Sequence, residues 1–381
     1  MKTIIKNAQI VLETGIIWDG IIIIENGKIT DYGKLIDIDI PDDANIIDAE
    51  GAYVGPGFID IHVHGGNGFD FCTNPEEAAN FFLKNGTTSI LPSPPYKLDQ
   101  EGYINAIKKI RNAMKTCPNI KGMYMEGPYI NVDYGAFAHI NPWKDTICAG
   151  DFEQIVDIAG EYAKVWVIAP EREGIKEFLN YAKKVNPNVK FAVGHSEAAP
   201  DTIRKLGKNR PSILTHAMDA TGRKNVPEGT RGSGPDEYCM NEKEMYAELI
   251  SDSCAIHVGA ELQRLLLNTK GVDKIILITD STAEALSTPE HLKHIDDITF
   301  DDKGMLSGSK MTMNKACRNI MSSTNCGIAQ AFLMASTNPS KAVGLYDKVG
   351  SVDVEKNADL VFVDDRFNLK KVMIEGKIVQ F

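Results

Sequence analysis

Histidine and carboxylate residues stand at the carboxyl ends of several predicted strands of this chain. Each strand is a short apolar run that a potential metal ligand follows. These residues are His62, His64, Glu126, His195, His216, His257 and Asp280. Imidazole and carboxylate together favour a divalent ion such as Zn²⁺, Fe²⁺, Co²⁺ or Mn²⁺ over Mg²⁺ or Ca²⁺. Such an ion activates water at neutral pH, and a carboxylate placed like Asp280 could move the proton. The residue types therefore predict metal-assisted hydrolysis of a polar bond.

The elements that must position these side chains alternate between strand and helix. The candidate strands cover residues 53–61, 88–92, 120–126, 164–170, 190–195, 212–216, 255–257 and 274–280. Repeated βα units over residues 54–354 predict an α/β fold, a (β/α)8 TIM-type barrel, whose strand ends meet at one mouth. His62 and His64 are two residues apart, so both point to the same face of their strand. A doubly wound open sheet is the alternative, but no GxGxxG sequence follows the first strand.

Two long connections follow strands that end in potential ligands. One runs from Gly127 to about Cys148, and the other from Ala217 to about Met240. Connections longer than about 15 residues are usually functional loops or disordered segments. We expect both to lie over the site.

The two ends of the chain have a different pattern, in which β-branched runs are joined by tight turns. Asn26 and Gly27 form the strongest short hairpin signal, and the sequence IENGKIT at 24–30 resembles IEGKIV at 374–379. We predict a small β-sandwich domain built from residues 1–53 and 355–381. A chance similarity between two hairpins is the alternative.

Composition limits the partners and the compartment of the protein. The 381 residues carry a net charge of −11, which repels nucleic acid and anionic membranes. The longest aliphatic run, Ile21–Ile24, is far too short to span a membrane. Seven cysteines without a CxxC pair indicate reduced thiols. A cytoplasmic enzyme with a small-molecule substrate is expected.

Several motifs along the chain resemble those of the metal-dependent amidohydrolase superfamily. They are PGFIDIHVHG at 56–65, MEGPYI at 125–130, GHSEA at 194–198, TH at 215–216, TD at 279–280, LSGSKMTMNKACRN at 306–319 and the segment 338–364. The Glu-Gly-Pro and Gly-His-Ser motifs are most similar to those of the N-acetylglucosamine-6-phosphate deacetylase family within it. The resemblance implies hydrolysis of the acetamide of an N-acetylated amino-sugar phosphate, by a homodimer with one or two divalent ions per subunit, zinc being preferred.

The resemblance also implies roles for individual residues. Glu126, His195 and His216 look like the principal metal ligands, and His62 and His64 like ligands of a second ion. Asp280 resembles the catalytic acid and base, and His139 looks like a histidine that contacts the substrate and polarises its carbonyl. The implied substrate-binding residues are Ala138, His139, Asp219, Ala220, Arg223, His257, Leu306, Ser307 and Gly308. The family's phosphate-binding arginine can come from the neighbouring subunit.

Two departures from the family pattern lie near the implied phosphate. Asp219 stands where the family usually has asparagine, and its charge repels a phosphate dianion. Arg223, Lys224 and Arg231 could offset that charge. The family's Ala-Asp-Gly before the next histidine is replaced by residues ending in Cys254, Ala255 and Ile256.

These departures leave the substrate open. N-acetylglucosamine 6-phosphate is the leading prediction. N-acetylgalactosamine 6-phosphate or an unphosphorylated N-acyl compound is the alternative, and a catalytically inactive binding scaffold is a further one.

Overall fold

Strands from both ends of the chain form one mixed sheet, which has eight strands among the described residues. The computed structural model describes residues 2–37, 44–222, 227, 230, 232–283 and 288–380. The strands of this sheet are β1 (Thr3–Leu12), β2 (Gly15–Glu25), β3 (Lys28–Lys34), β4 (Asn45–Asp48), β5 (Tyr53–Pro56), β18 (Leu360–Val363), β19 (Leu369–Ile374) and β20 (Lys377–Ile378). Their order is β20-β19-β18-β5-β1-β2-β3, and β4 pairs with β1.

The predicted N-terminal hairpin is confirmed. Asn26 and Gly27 have φ angles of 51° and 79°, the left-handed conformations that a tight two-residue turn requires. β5 connects the two ends of the chain, because it pairs in parallel with β1 and antiparallel with β18. Val54 lies opposite Phe362 in that second pairing.

A curled set of parallel strands occupies the middle of the chain. These strands are β6 (Phe58–Val63), β9 (Thr87–Pro92), β10 (Met123–Met125), β11 (Ala163–Ile168), β12 (Lys190–Val193), β13 (Ile213–Leu214), β14 (Tyr246–Ile250) and β15 (Ile275–Ile278). β6 pairs with β9, and β10 to β15 pair in chain order. Ile90 forms a parallel bridge with Ile120, just before β10. The order shows none of the reversal that a doubly wound sheet requires.

Hydrogen bonds also link the last parallel strand to the first. The Asp280 amide donates to the His62 carbonyl at 3.0 Å, and Thr279 Oγ1 donates to Asp60 Oδ2 at 2.5 Å. The parallel strands are buried on both faces. In β11, Val165 and Val167 belong to one apolar cluster, whereas Trp166 belongs to another.

Two strand predictions were wrong. Residues 53–61 form two strands rather than one, because β5 joins the terminal sheet and β6 begins only at Phe58. The seventh parallel strand is β14 (Tyr246–Ile250), and residues 255–257 lie in the loop that follows it. His257 therefore lies in this loop and does not end a strand.

Helices connect the parallel strands and cover their outer side. They are α1 (Pro75–Lys84), α2 (Gln100–Ala113), α3 (Ala149–Ala159), α4 (Ile175–Val185), α5 (Pro200–Arg204), α6 (Pro235–Asn241), α7 (Ala260–Lys270), α8 (Met313–Thr324), α9 (Ile328–Phe332) and α10 (Asn338–Val343). α1 begins at Pro75, a residue that favours the first helical position, and ends before Asn85. None of the described helices combines the length and apolar character needed to cross a membrane.

The remaining elements are short. Two small hairpins consist of β7 (Gly65–Gly66) with β8 (Phe69–Asp70), and of β16 (Ile298–Phe300) with β17 (Leu306–Ser309). Short 3-10 turns cover Leu35–Asp37, Ala138–Ile140, Gly160–Tyr162, Gly207–Asn209, Val272–Lys274 and Glu290–Leu292. A π-helical turn, Leu333–Thr337, joins α9 to α10.

Candidate functional site

Six of the sequence-predicted residues meet where the parallel strands end. They are His62, His64, Glu126, His195, His216 and Asp280, and all are buried. Three of them have left-handed backbone, with φ of 47° at His195, 27° at His216 and 46° at Asp280. Such conformations cost roughly 1–3 kcal/mol each in non-glycine residues and concentrate at functional sites. Here they turn the chain directly after a strand.

Glu126 lies at the centre of this group. Its Oε1 atom is 2.8 Å from His195 Nε2 and 3.5 Å from both His216 Nε2 and His62 Nε2. Its Oε2 atom is 3.1 Å from His64 Nε2. Two groups of potential metal ligands therefore share this carboxylate: His62, His64 and Glu126 form one, and Glu126, His195 and His216 form the other.

Each histidine is oriented by a hydrogen bond at its Nδ1 atom. The partners are the backbone carbonyls of Ser93 for His64 (2.7 Å), Tyr134 for His195 (3.1 Å) and Asp219 for His216 (3.2 Å), and the Glu248 carboxylate for His62 (3.3 Å). A carbonyl accepts only from a protonated Nδ1, so in the neutral form of these rings the lone pair is on Nε2. All four Nε2 atoms face Glu126.

This arrangement fits a bound cation. His195 Nε2 and His216 Nε2 are 3.0 Å apart, and in this tautomer both are acceptors that repel one another. His62 Nε2 is buried and makes no hydrogen bond to any described residue. A divalent ion of the imidazole-preferring class satisfies such a donor set.

Asp280 stands beside the histidines without belonging to either ligand group. Its Oδ1 atom is 3.3 Å from His64 Nε2 and 3.8 Å from His62 Nε2. Burial raises the pKa of Asp280, but the charges of His62 and His64 outweigh that effect and leave the pKa below its usual value. The carboxylate is therefore ionised at neutral pH and can accept a proton.

A cavity opens onto Glu126, His195 and Asp280, and its wall combines polar and apolar side chains, as in small-molecule sites. Five of the predicted substrate-binding residues line it: Asp219, Ala220, Leu306, Ser307 and Gly308. At Gly308 (φ +68°) a Cβ atom would lie 2.4 Å from the Asp280 carbonyl oxygen, so only glycine allows β17 to approach this closely.

The other predicted substrate residues lie elsewhere or outside the described residues. His139 is in the short turn Ala138–Ile140, and its Nε2 atom is 3.3 Å from Asp302 Oδ2. His257 is buried, with Nδ1 3.0 Å from Asp252 Oδ2. The described residues that line the cavity do not include His139, His257 or Ala138. Arg223, Lys224 and Arg231 fall outside the described residues.

Sequence reasoning missed three residues near the site. Lys97 lines the cavity, with its Nζ atom 4.4 Å from the centre of the Phe137 ring. Tyr124 stacks on the His62 ring at 4.4 Å. Glu248 lies on β14, the strand that was not predicted. A carboxylate inside an apolar run, as in YAELI, was the signal available for it.

Comparisons with known proteins agree with this geometry. A sequence model of the amidohydrolase family matches residues 53–379. The N-acetylglucosamine-6-phosphate deacetylase of Bacillus subtilis is 27% identical over 400 residues, covering 98% of this chain and 96% of that protein. The N-acetylgalactosamine-6-phosphate deacetylase of Escherichia coli O157:H7 is 25% identical over 357 residues, covering 90% of this chain and 91% of that protein. The structure of the N-acetylglucosamine-6-phosphate deacetylase from Pasteurella multocida covers 100% of both chains, with a TM-score of 0.87 at 24% identity.

Proposed function

The chain belongs to the amidohydrolase family, and we propose that it hydrolyses the acetamide of an N-acetylated amino-sugar phosphate. N-acetylglucosamine 6-phosphate and water would give glucosamine 6-phosphate and acetate. The observation that carries this proposal is the convergence of Glu126, four histidine Nε2 atoms and Asp280 beside one cavity. The names of the similar deacetylases support the substrate class.

Glu126, His195 and His216 would hold one divalent ion, and His62 and His64, with Glu126, would hold a second. Zinc is proposed, with iron, cobalt or manganese as alternatives, because imidazole and carboxylate donors suit these ions. An ion at this position supplies a Lewis acid for the acetyl oxygen and a water nucleophile at neutral pH.

Asp280 would move the proton. It accepts a proton from the attacking water and returns it to the amine that leaves, so the same carboxylate acts as base and then as acid. Asp280 is ionised before the reaction begins, because its pKa lies below the usual carboxyl value.

The cavity wall would bind the sugar. The lining residues Asp219, Ala220, Leu306, Ser307 and Gly308 would contact the substrate. Ala138, His139, Arg223 and His257 stay predictions for this role. For His139 to reach a carbonyl in the cavity, the turn that carries it has to move.

The finer fold assignments also belong to this proposal. We propose that the eight parallel strands, from Phe58 onwards, close into a (β/α)8 barrel that extends to residue 354, which the hydrogen bond from Asp280 to His62 supports. Residues 1–53 and 355–381, with the rest of β5 up to Pro56, would form the small β-sandwich domain. A homodimer in the cytoplasm is proposed as well, and the seven unpaired cysteines support the reducing compartment.

A substrate screen tests the activity. The protein is incubated with N-acetylglucosamine and N-acetylgalactosamine, each with and without the 6-phosphate, and the released amine and acetate are measured. We expect the highest kcat/KM for N-acetylglucosamine 6-phosphate, and a value lower by about 10²–10⁴-fold for the Asp280→Asn control. No release from any acetylated amino sugar, by a protein with its metal bound, would contradict the proposal.

N-acetylgalactosamine 6-phosphate is the second candidate substrate. One similar protein is named as a deacetylase of this sugar phosphate, and the acidic Asp219 lines the cavity where a sugar would bind. The same screen separates the two sugars, since they differ only at one hydroxyl group.

A further inference from the structure

Glu248 differs from the other groups that orient the site histidines. His64, His195 and His216 each donate from Nδ1 to a neutral backbone carbonyl. His62 alone among these four has a carboxylate, that of Glu248, as the partner of its Nδ1 atom. A carboxylate partner makes a histidine a more basic ligand than a carbonyl partner does.

The contacts of Glu248 restrict its position. Glu248 is fully buried on β14, and its Oε2 atom lies 3.3 Å from His62 Nδ1 and 3.3 Å from the His216 amide nitrogen. Tyr124 also restricts the His62 ring, because the two rings stack with their centres 4.4 Å apart and an angle of 23° between their planes. The Tyr124 hydroxyl is in turn held 2.9 Å from Thr215 Oγ1. His62 therefore has one ring orientation, with Nε2 towards Glu126.

Charge balance gives Glu248 a second effect. Two divalent ions would bring four positive charges to a buried site in which Glu126 and Asp280 supply two negative charges. The carboxylate of Glu248 adds a third. Buried charges are tolerated when opposite charges compensate them. The third carboxylate therefore favours binding of the second ion, which brings two further positive charges into the site.

We propose that Glu248 is a positioning residue that makes His62 a metal ligand, so that the group His62, His64 and Glu126 holds a second divalent ion. Glu248 accepts the Nδ1 proton of His62 and directs the Nε2 lone pair into the site. This inference rests on the metal chemistry of the proposed function, and it is independent of which sugar is the substrate.

Metal titration of the Glu248→Gln variant tests the proposal. Apo-protein is titrated with Zn²⁺ against a chromogenic chelator, without substrate. The wild type should bind two ions per chain. In Glu248→Gln the affinity for the weaker ion should fall by about 10–100-fold, the usual effect of removing a carboxylate behind a ligating histidine. The tighter ion should be retained.

Glu171→Gln is the matched control. This carboxylate lies near the same mouth and accepts hydrogen bonds from Ser196 Oγ at 2.7 Å and the Glu197 amide at 2.8 Å, but from no described histidine ring. The control should bind two ions with wild-type affinities. The Co²⁺ absorption spectrum provides a second readout, since loss of one ion changes its intensity.

A double-mutant cycle with His62→Asn distinguishes positioning from a general structural role. If Glu248 acts through His62, adding Glu248→Gln to His62→Asn should cause no further loss of affinity. Equal weakening of both ions, additive losses in the cycle, or a wild type that binds one ion would each overturn the proposal. Two bound ions without deacetylation would instead contradict only the proposed substrate.

Discussion

At the scale of single residues, Glu126 has a position that no other described ligand shares. Both candidate ligand groups contain it, and one of its oxygens faces His64 while the other faces His195. Removing this carboxylate removes a ligand from both groups. The four histidines would then remain, but without the anion around which their Nε2 atoms converge.

Glu126→Ala should therefore lose the tightly bound metal. Elemental analysis of the purified variant should show well under one ion per chain, against one or two for the wild type. Glu171→Ala serves as the control, because Glu171 contacts no described histidine ring. Full metal occupancy in Glu126→Ala would remove this residue from the ligand set.

Asp280→Asn should separate proton transfer from binding. Asparagine keeps the size of the side chain but cannot accept the proton, so kcat should fall by about 10²–10⁴-fold while KM changes little. Steady-state kinetics on a metal-loaded variant measure both. A nearly normal kcat with metal retained would show that another group moves the proton.

Asp219→Asn should reveal whether the substrate carries a phosphate. With a phosphorylated sugar, the loss of a repelling charge should raise kcat/KM by a factor of about 2–5, the size expected for a partly screened charge pair. With an unphosphorylated sugar, Asp219 would accept hydrogen bonds from hydroxyl groups, and the same change should lower kcat/KM. Wild type and variant are compared on both ligand types. Preference for the unphosphorylated sugar together with a harmful substitution would contradict the phosphate prediction.

The sequence predicts the residues that meet at the candidate site, because each lies at or just after the end of a recognisable strand. It does not predict Glu248, because the run YAELI contains alanine and glutamate, which are uncommon in strands. Residues 255–257, which end in His257, were predicted as the strand instead. Tyr124 and Lys97 were missed for another reason, since their roles arise from contacts with His62 and Phe137 that are distant in sequence.

At the scale of elements, the hairpin of β16 and β17 accepts a hydrogen bond from the loop around Phe137, which lines the cavity. Asp301 Oδ2 accepts a hydrogen bond from the Phe137 amide at 3.1 Å, and Oδ1 accepts from the Lys303 and Met305 amides at 2.8 Å each. Burial raises the pKa of Asp301, but the hydrogen bonds from these amides lower it by a larger amount, so the pKa is below its usual value. The stabilisation is present above the ordinary carboxyl pKa and is lost as pH falls below it.

Asp301→Ala should loosen the Phe137 loop without removing a catalytic group. Loss of hydrogen bonds to a charged acceptor should make local opening easier by about 1–2 kcal/mol, so KM should rise several-fold while kcat stays close to wild type. Faster hydrogen exchange at Phe137, followed by mass spectrometry, should accompany it.

Asp302→Ala is the matched control for this change. Asp302 is the next residue and contacts the His139 ring, yet among the described residues it accepts no backbone hydrogen bond. Unchanged exchange at Phe137 in Asp301→Ala, or equal effects of the two substitutions, would contradict the role of Asp301.

At the scale of the whole molecule, metal binding should contribute to stability. Buried histidines and carboxylates from β6, β10, β12, β13 and β15 meet at one point, so an ion there connects strands that are far apart in the chain. A ligand that binds only the folded state stabilises it by mass action.

Removal of the metal should therefore lower Tm. Chelator-treated protein should melt about 3–8 °C below protein with Zn²⁺ at about 100 times its Kd. Mg²⁺ at the same concentration should restore little, because it prefers oxygen ligands. Glu126→Ala should show no response to Zn²⁺, and an equal response in that variant would place the stabilising ion elsewhere.

The position of β5 between β1 and β18 has a consequence for synthesis on the ribosome. Val54 emerges about 300 residues before its partner Phe362, and translation at about 5–20 residues per second makes that interval roughly 15–60 s. During this time one edge of β5 has no strand to pair with, and exposed strand edges recruit other chains. β5 is made early, but it is thus among the last strands to gain both of its neighbours. A chain released before Leu360 would keep that edge open, so premature termination should yield aggregates rather than shortened folded enzyme.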